Sequence, residues 1–202
     1  MILALDTSTA ACTAALFDED AVCLGSRDEI IGRGHAERLA PMLHELLAGR
    51  RAQSILVGTG PGSFTGIRVG IAAAQGLAIG WNANISGMSS LGLIAAAAQA
   101  EDDVAAAMPG GHGELFAQQF GASLAPTSDL FNAPPAAVAA AISAQIVAGP
   151  GAIALVAARG YGRAVEAWPS ASRALDLPEP LRALSPAPLY ARPPDAKART
   201  AA

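Results

Sequence analysis

The chain has 202 residues, of which 52% are hydrophobic, 15% are charged and 49 are alanine, with a formal net charge of −4. That balance excludes a chain disordered throughout and suits one globular domain, or two small lobes sharing a core. Lys197 is the one lysine beside twelve arginines, and no dense basic run occurs. A chain that grips nucleic acid unaided carries a basic face, so any nucleic acid this chain serves is expected to meet a partner's positive surface.

Residues 2–6 form a short apolar run ending at Asp6, a first strand, and Thr7-Ser8-Thr9 is a turn. The opening residues lack a basic n-region and meet a carboxylate at once, so no signal peptide is expected. Residues 11–17 and 21–28 are two further strands around an Asp18-Glu19-Asp20 turn. His35 to Leu47 is the clearest helix: Leu39, Met42, Leu43, Leu46 and Leu47 share one face of a 3.6-residue period. Gly49 ends it. Ser54 to Gly58 is a buried strand, Gly58 to Gly66 a glycine-rich loop, and 66–80 a helix lined with small residues. Ile85 to Met88 is a short strand, and Ser89 to Ala100 a third helix.

No charge occurs between Arg68 and Glu101. A membrane span needs about 20 mostly apolar residues, but Trp81-Asn82-Ala83-Asn84 and Ser89-Ser90 interrupt this stretch, so it reads as two buried helices around a strand.

The order β-β-β-α-β-α-β-α predicts a mixed sheet with helices against it. Residues 103–108 and 114–120 form a second hairpin turning at Pro109 to Gly113, as though a second lobe restarts the plan. From Leu177 the chain is rich in proline (Pro178, Pro180, Pro186, Pro188, Pro193, Pro194), which predicts an extended, partly mobile tail. The two lobes are expected at residues 1–100 and 101–202.

Two constellations could carry chemistry. The glycine loop could present backbone N–H groups to a phosphate, yet it lacks the Lys of a P-loop and the Gly-x-Gly-x-x-Gly spacing of a dinucleotide fingerprint. The other reading is a tight strand-to-helix connection. Asp6-Thr7-Ser8 could hold hydrated magnesium and a phosphate, or Asp6 could accept hydrogen bonds from its own turn. The remaining candidates offer less. His35 and His44, nine residues apart on one helix, point to opposite sides and cannot share a metal. His112 lies in a predicted turn. Pairing about Glu19 would set Cys12 opposite Ser26 and Cys23 opposite Ala15, two separate thiols. The small residues Gly70, Ala73, Ala74 and Gly76 permit close approach of another helix, from within this chain or from a partner.

Four segments together resemble the TsaB (YeaZ) family: Asp6 to Thr9, His35 to Pro41, Gly58 to Gly70 and Ala74 to Ala78. Pro188 to Pro194 resembles that family's C-terminal tail. The resemblance covers residues 1–100 strongly and the rest thinly. It implies an α/β, actin/Hsp70/sugar-kinase-like (ASKHA) fold with two related lobes. It also implies a cytoplasmic, non-catalytic subunit of the machinery that makes threonylcarbamoyladenosine in tRNA beside the anticodon. The implied partners are a TsaD-like catalytic subunit, a TsaE-like ATPase and, when alone, a second copy of the chain. Neither a cofactor nor a membrane is implied, and tRNA is reached only through the complex. The catalytic relative's metal-binding His-x-x-x-His falls on Ser89 and Leu93, which offer no imidazole, so no metal is expected. Where relatives have Asp-Ala-Arg in the second hairpin, this chain has Pro109-Gly110-Gly111.

The partner-binding surface is expected on the 35–48 and 66–80 helices, through Leu39, Pro41, Met42, Arg68, Gly70, Ile71, Ala74 and Gln75. Asp6, Thr7 and Ser8 are the candidate cofactor contacts. The rival reading is a small ATPase or phosphotransferase of the same fold, using Asp6 and the Gly58–Gly66 loop.

Overall fold

Alternate residues of the first strand, β1 (Ile2–Asp6), enter two different cores in the computed structural model, which describes residues 1–190. Leu3 and Leu5 join one core with Leu39, Leu43, Ile67 and Ile71, and Ala4 joins the other with Leu91 and Ile94. Successive side chains of a strand point to opposite faces. A strand covered on both faces therefore reads as a near-continuous apolar run, as β1 does up to Asp6 and the wholly buried β2 (Ala11–Phe17) does apart from Thr13.

The first sheet continues with β3 (Cys23–Ile30), β4 (Ser54–Gly58) and β5 (Asn84–Met88), in the order β3-β2-β1-β4-β5. The pairs β1–β2 and β2–β3 are antiparallel, and β1–β4 and β4–β5 are parallel. Helices α1 (His35–Leu47) and α2 (Phe64–Trp81) cover its outer face. The second sheet comprises β6 (Val104–Gly111), β7 (Glu114–Phe120), β8 (Phe131–Ala133), β9 (Ile146–Ala148) and β10 (Arg163–Val165). Its order, β10-β9-β6-β7-β8, repeats the first plan strand for strand, two antiparallel pairs and two parallel. Helices α4 (Pro135–Ala141) and α5 (Ala152–Arg159) cover its far face through Val138 and Leu155. Helix α3 (Ser90–Ala97) lies between the sheets, and all but its last residue are buried. Its lack of a polar face follows from that position. Two mixed sheets with this layering are the predicted two-lobed α/β arrangement.

Several local expectations are corrected. The turn after β2 extends from Asp18 to Val22, because the Asp18 carboxylate accepts from the N–H of Asp20 and of Val22. The pairing centre moves accordingly, so Cys12 faces Glu29 and Cys23 faces Phe17. The thiols remain separate. In the second hairpin, Pro109 to Gly111 belong to β6 with an irregularity in register, and the turn narrows to His112 and Gly113. Both have positive φ, as a tight hairpin of this hand requires.

The segment from Ala171 is not a loose tail. A 3-10 helix (Ala171–Asp176) packs against the first sheet, with the Ala171 N–H donating to Thr13 Oγ1 at 2.7 Å. Ser170 Oγ donates to Asp28 at 2.8 Å, and Thr13 also donates to that carboxylate. A short helix, α6 (Glu179–Arg182), buries Leu181. Proline fixes φ and removes a donor, but it leaves the carbonyls and neighbouring amides free to bond across. Pro193 and Pro194 lie outside the described residues.

Candidate functional site

Asp6 ends β1 and is fully buried. Its Oδ1 accepts from the Ser8 N–H and from Ser8 Oγ, each at 2.7 Å, and its Oδ2 accepts from Ser90 Oγ at 2.5 Å. Burial pushes the Asp6 carboxyl above the ordinary aspartate value, and the donors from Ser90 and Ser8 oppose that rise. Thr7 and Ser8 are almost as deeply buried. Thr7 Oγ1 donates to the Gly66 carbonyl at 2.7 Å, and the Ser63 N–H donates to the Ser8 carbonyl at 2.7 Å. The acidic turn and the glycine loop are thus bonded to each other.

The glycines serve that closeness. A Cβ on Gly58 would overlap the Asp6 carboxylate, one on Gly62 the Ser8 carbonyl, and one on Gly66 the Thr7 carbonyl. Ser63 then caps α2 by accepting from the Gly66 N–H at 3.2 Å. The tight connection is the arrangement observed.

Ser89 and Leu93 have structural roles. Ser89 caps α3 by accepting from the Gly92 N–H at 3.0 Å, and Leu93 is core. His35 is buried with Nε2 3.3 Å from the Ala11 carbonyl, whereas His44 is exposed. No group of three metal-ligating side chains occurs among the described residues. Among them, too, no helix is long and apolar enough to cross a membrane. Cys12 packs 3.9 Å from Met42, and burial, then the charge of Glu29, raises its thiol pKa to about 11.

The eight residues expected on the partner face divide in two. Pro41, Arg68 and Gln75 are exposed. Leu39, Met42, Gly70, Ile71 and Ala74 are buried in this chain's own first core. A Cβ on Gly70 would sit 2.6 Å from Thr7 Oγ1 and 3.5 Å from Leu5 Cδ1. The small residues at 70 and 74 therefore let α2 approach its own sheet, and they present no side chain outward.

The outward stripe of α2 is Arg68, Ala72, Gln75, Gly76 and Ile79, with Phe64 at its start. Ile79 is 85% and Phe64 53% exposed, and nothing lies within 4 Å of a Cβ built on Gly76 or Gly80. Sequence reasoning missed Ala72, Ile79 and Phe64. The signal was available in the phase of the helix, since 72, 75, 76 and 79 fall opposite the buried 67, 71, 74 and 78. Beside this stripe α1 exposes Ala40, Pro41 and His44. Arg38 leaves that face to pair with Glu29 at 2.5 Å, which holds the Glu29 carboxyl below its ordinary value. A cleft of about 400 Å³, lined in part by Arg33, His35 and Thr65, separates the starts of the two helices.

This two-lobed chain is matched over most of its length by one family model. That model, "TsaD: tRNA N6-adenosine threonylcarbamoyltransferase", matches residues 25–174. The structure is also similar to YeaZ from Pseudomonas aeruginosa: TM-score 0.78, 30% identity, covering 94% of this chain and 98% of that one. A second structure, described as an uncharacterized protein with similarity to peptidase YEAZ from the same organism, gives TM-score 0.77 and 33% identity over 95% and 99%. The tRNA threonylcarbamoyladenosine biosynthesis protein TsaB of Escherichia coli is 40% identical over 95 residues, 45% of this chain and 40% of the relative. That of Haemophilus influenzae is 42% identical over 117 residues, 52% and 48%. The chain thus spans about half the length of the curated relatives it matches. It belongs to the TsaB (YeaZ) family.

Proposed function

We propose that the chain is the non-catalytic scaffolding subunit of a cytoplasmic complex that makes threonylcarbamoyladenosine in tRNA. It pairs with a TsaD-like catalytic subunit, works beside a TsaE-like ATPase, and pairs with itself when alone. The observation that carries this reading is the outward stripe of α2 from Ala72 to Gly80, which is uncharged and whose Ala72, Gln75, Gly76 and Ile79 stay exposed among the described residues. A partner of the same two-lobed plan would offer an equivalent helix pair, related by an approximate two-fold axis. Pro41, Arg68 and Gln75 would lie on that surface with Ala72, Gly76 and Ile79. Leu39, Met42, Gly70, Ile71 and Ala74 support it from beneath.

The rival phosphotransferase reading needs a carboxylate able to meet a hydrated cation. Both oxygens of Asp6 are already engaged, and the side chain has no exposed surface. Net charge −4 also predicts weak contact of the lone chain with tRNA phosphates.

The test is co-purification of the tagged chain from its own cytoplasm, with titration of Mg-ATP into the lone chain. The expected result is recovery of the catalytic subunit and no heat of nucleotide binding. Recovery of the chain alone, with stoichiometric nucleotide binding, would reverse the reading.

A further inference from the structure

Residues 181–190 cross the carboxyl ends of β4 and β5. The Gly87 N–H donates to the Leu184 carbonyl at 2.7 Å, and the Leu184 N–H donates back to the Gly87 carbonyl at 3.0 Å. The Ser89 N–H donates to the Leu181 carbonyl at 2.9 Å, and the Leu189 N–H to the Thr59 carbonyl at 2.8 Å. Glycine makes room for this segment at Gly87, where a Cβ would lie 2.5 Å from the Ser185 carbonyl oxygen. At the end of the segment the Tyr190 ring centre is 5.5 Å from that of Phe64, and its hydroxyl accepts from Arg68 Nε at 2.9 Å. The Arg68 guanidinium lies 3.6 Å from the Phe64 ring centre and 5.6 Å from that of Tyr190.

Open α/β sheets bind their ligands in the crevice outside the carboxyl ends of the parallel strands. Extended peptides bind by adding backbone bonds to an exposed sheet edge. Both descriptions fit here, because β5 is the edge strand of the first sheet and the segment lies across the ends of β4 and β5. We propose that this crevice is a groove for an extended peptide, that its occupant is the chain's own segment 184–190, and that Tyr190, held by Phe64 and Arg68, is the latch. The Gly87 and Ser89 amides, which could otherwise face a ligand in the crevice, are spent on the segment. The groove and the latch lie within the lone chain; Arg68 and Phe64 also border the proposed partner stripe, so the test is read on the lone chain with no partner present.

Amide hydrogen exchange on the full chain tests it, comparing the parent with Tyr190→Ala, Arg68→Ala and Tyr190→Phe. Loss of the latch should speed exchange at Gly87, Ser89 and Leu189 by about tenfold or more, with α5 unchanged. Tyr190→Phe keeps the ring contact and should fall between the parent and the alanine variant. The proposal is overturned if Gly87 and Ser89 exchange as in the parent in both alanine variants, or if α5 accelerates equally.

Discussion

Helix α2 carries glycines on two faces, and they face opposite conditions. On the inner face, a Cβ at Gly70 would meet Thr7 at 2.6 Å; on the outer face, a Cβ at Gly76 or Gly80 would meet nothing within 4 Å. The inner glycines close the acidic turn against the sheet, whereas the outer ones leave a shallow, uncharged strip on the surface. Glycine in a helix interior costs about 0.5–1 kcal/mol relative to alanine. The inner positions recover that cost through packing, and among the described residues nothing lies within 4 Å to recover it at Gly76. The difference separates residues that build the fold from residues free to serve a contact with another molecule.

The largest effect should come from the inner face. Gly70→Glu would drive a carboxylate into the core beside Leu5 and Thr7, costing about 4 kcal/mol or more. Urea unfolding followed by circular dichroism should find little folded protein. A stably folded Gly70→Glu chain would contradict the inward packing of this face of α2. On the outer face, Gly76→Leu should leave the lone chain as stable as the parent or about 0.5–1 kcal/mol more so. The same substitution should weaken association with the catalytic subunit about tenfold or more. Unchanged association, measured by calorimetry, would place the contact elsewhere.

The sealed turn yields a pH prediction. Burial raises the folded Asp6 carboxyl above its unfolded value, so the folded state holds the proton more tightly. The stability it contributes is fully present below the unfolded pKa and is lost as pH rises through the folded one. Asp6→Asn removes that titration, and the amide can still accept from Ser8. Urea midpoints should therefore shift in favour of the variant as pH rises from about 4 to about 8. A difference constant across that range would contradict the sealed arrangement. The smallest effect concerns the thiols. Cys23 is exposed, while Cys12 is buried with its pKa raised to about 11. Iodoacetamide on the folded chain should label Cys23 and spare Cys12, as read by peptide mass mapping.

Strands and helices of the first lobe were legible where burial pattern and period agree. The run from Ile2 to Asp6 and the Leu39–Leu47 stripe gave β1 and α1 with their observed bounds. The helix over 66–80 starts two residues earlier, because Ser63 is its cap and no charge marks its first turn. Beyond Phe120 the pattern fails for a physical reason. Strands β8, β9 and β10 are three residues each, too short to show alternation, and α4 is almost wholly alanine. In the described part of the proline-rich segment, 177–190, proline density reports backbone freedom, but it does not report the bonds through Leu181, Leu184 and Leu189 that fix this part against the first sheet. At the candidate site, residue types were legible but direction was not. Gly70 and Ala74 permit close approach, and only the phase set by Ile67 and Ile71 reveals that the approach is inward.

The proposed contact with a TsaD-like subunit lies on the outward stripe of α2. Ile79, 85% exposed on that stripe, tests it most directly. Its replacement by aspartate should leave the lone chain's circular dichroism and urea midpoint as in the parent. Size-exclusion chromatography with light scattering, on the chain mixed with the catalytic subunit of its own cell, should show a one-to-one complex for the parent. For Ile79→Asp it should show two separate species, as an affinity loss of about thirtyfold or more would produce. A complex of undiminished stability with Ile79→Asp would place the partner contact away from this stripe.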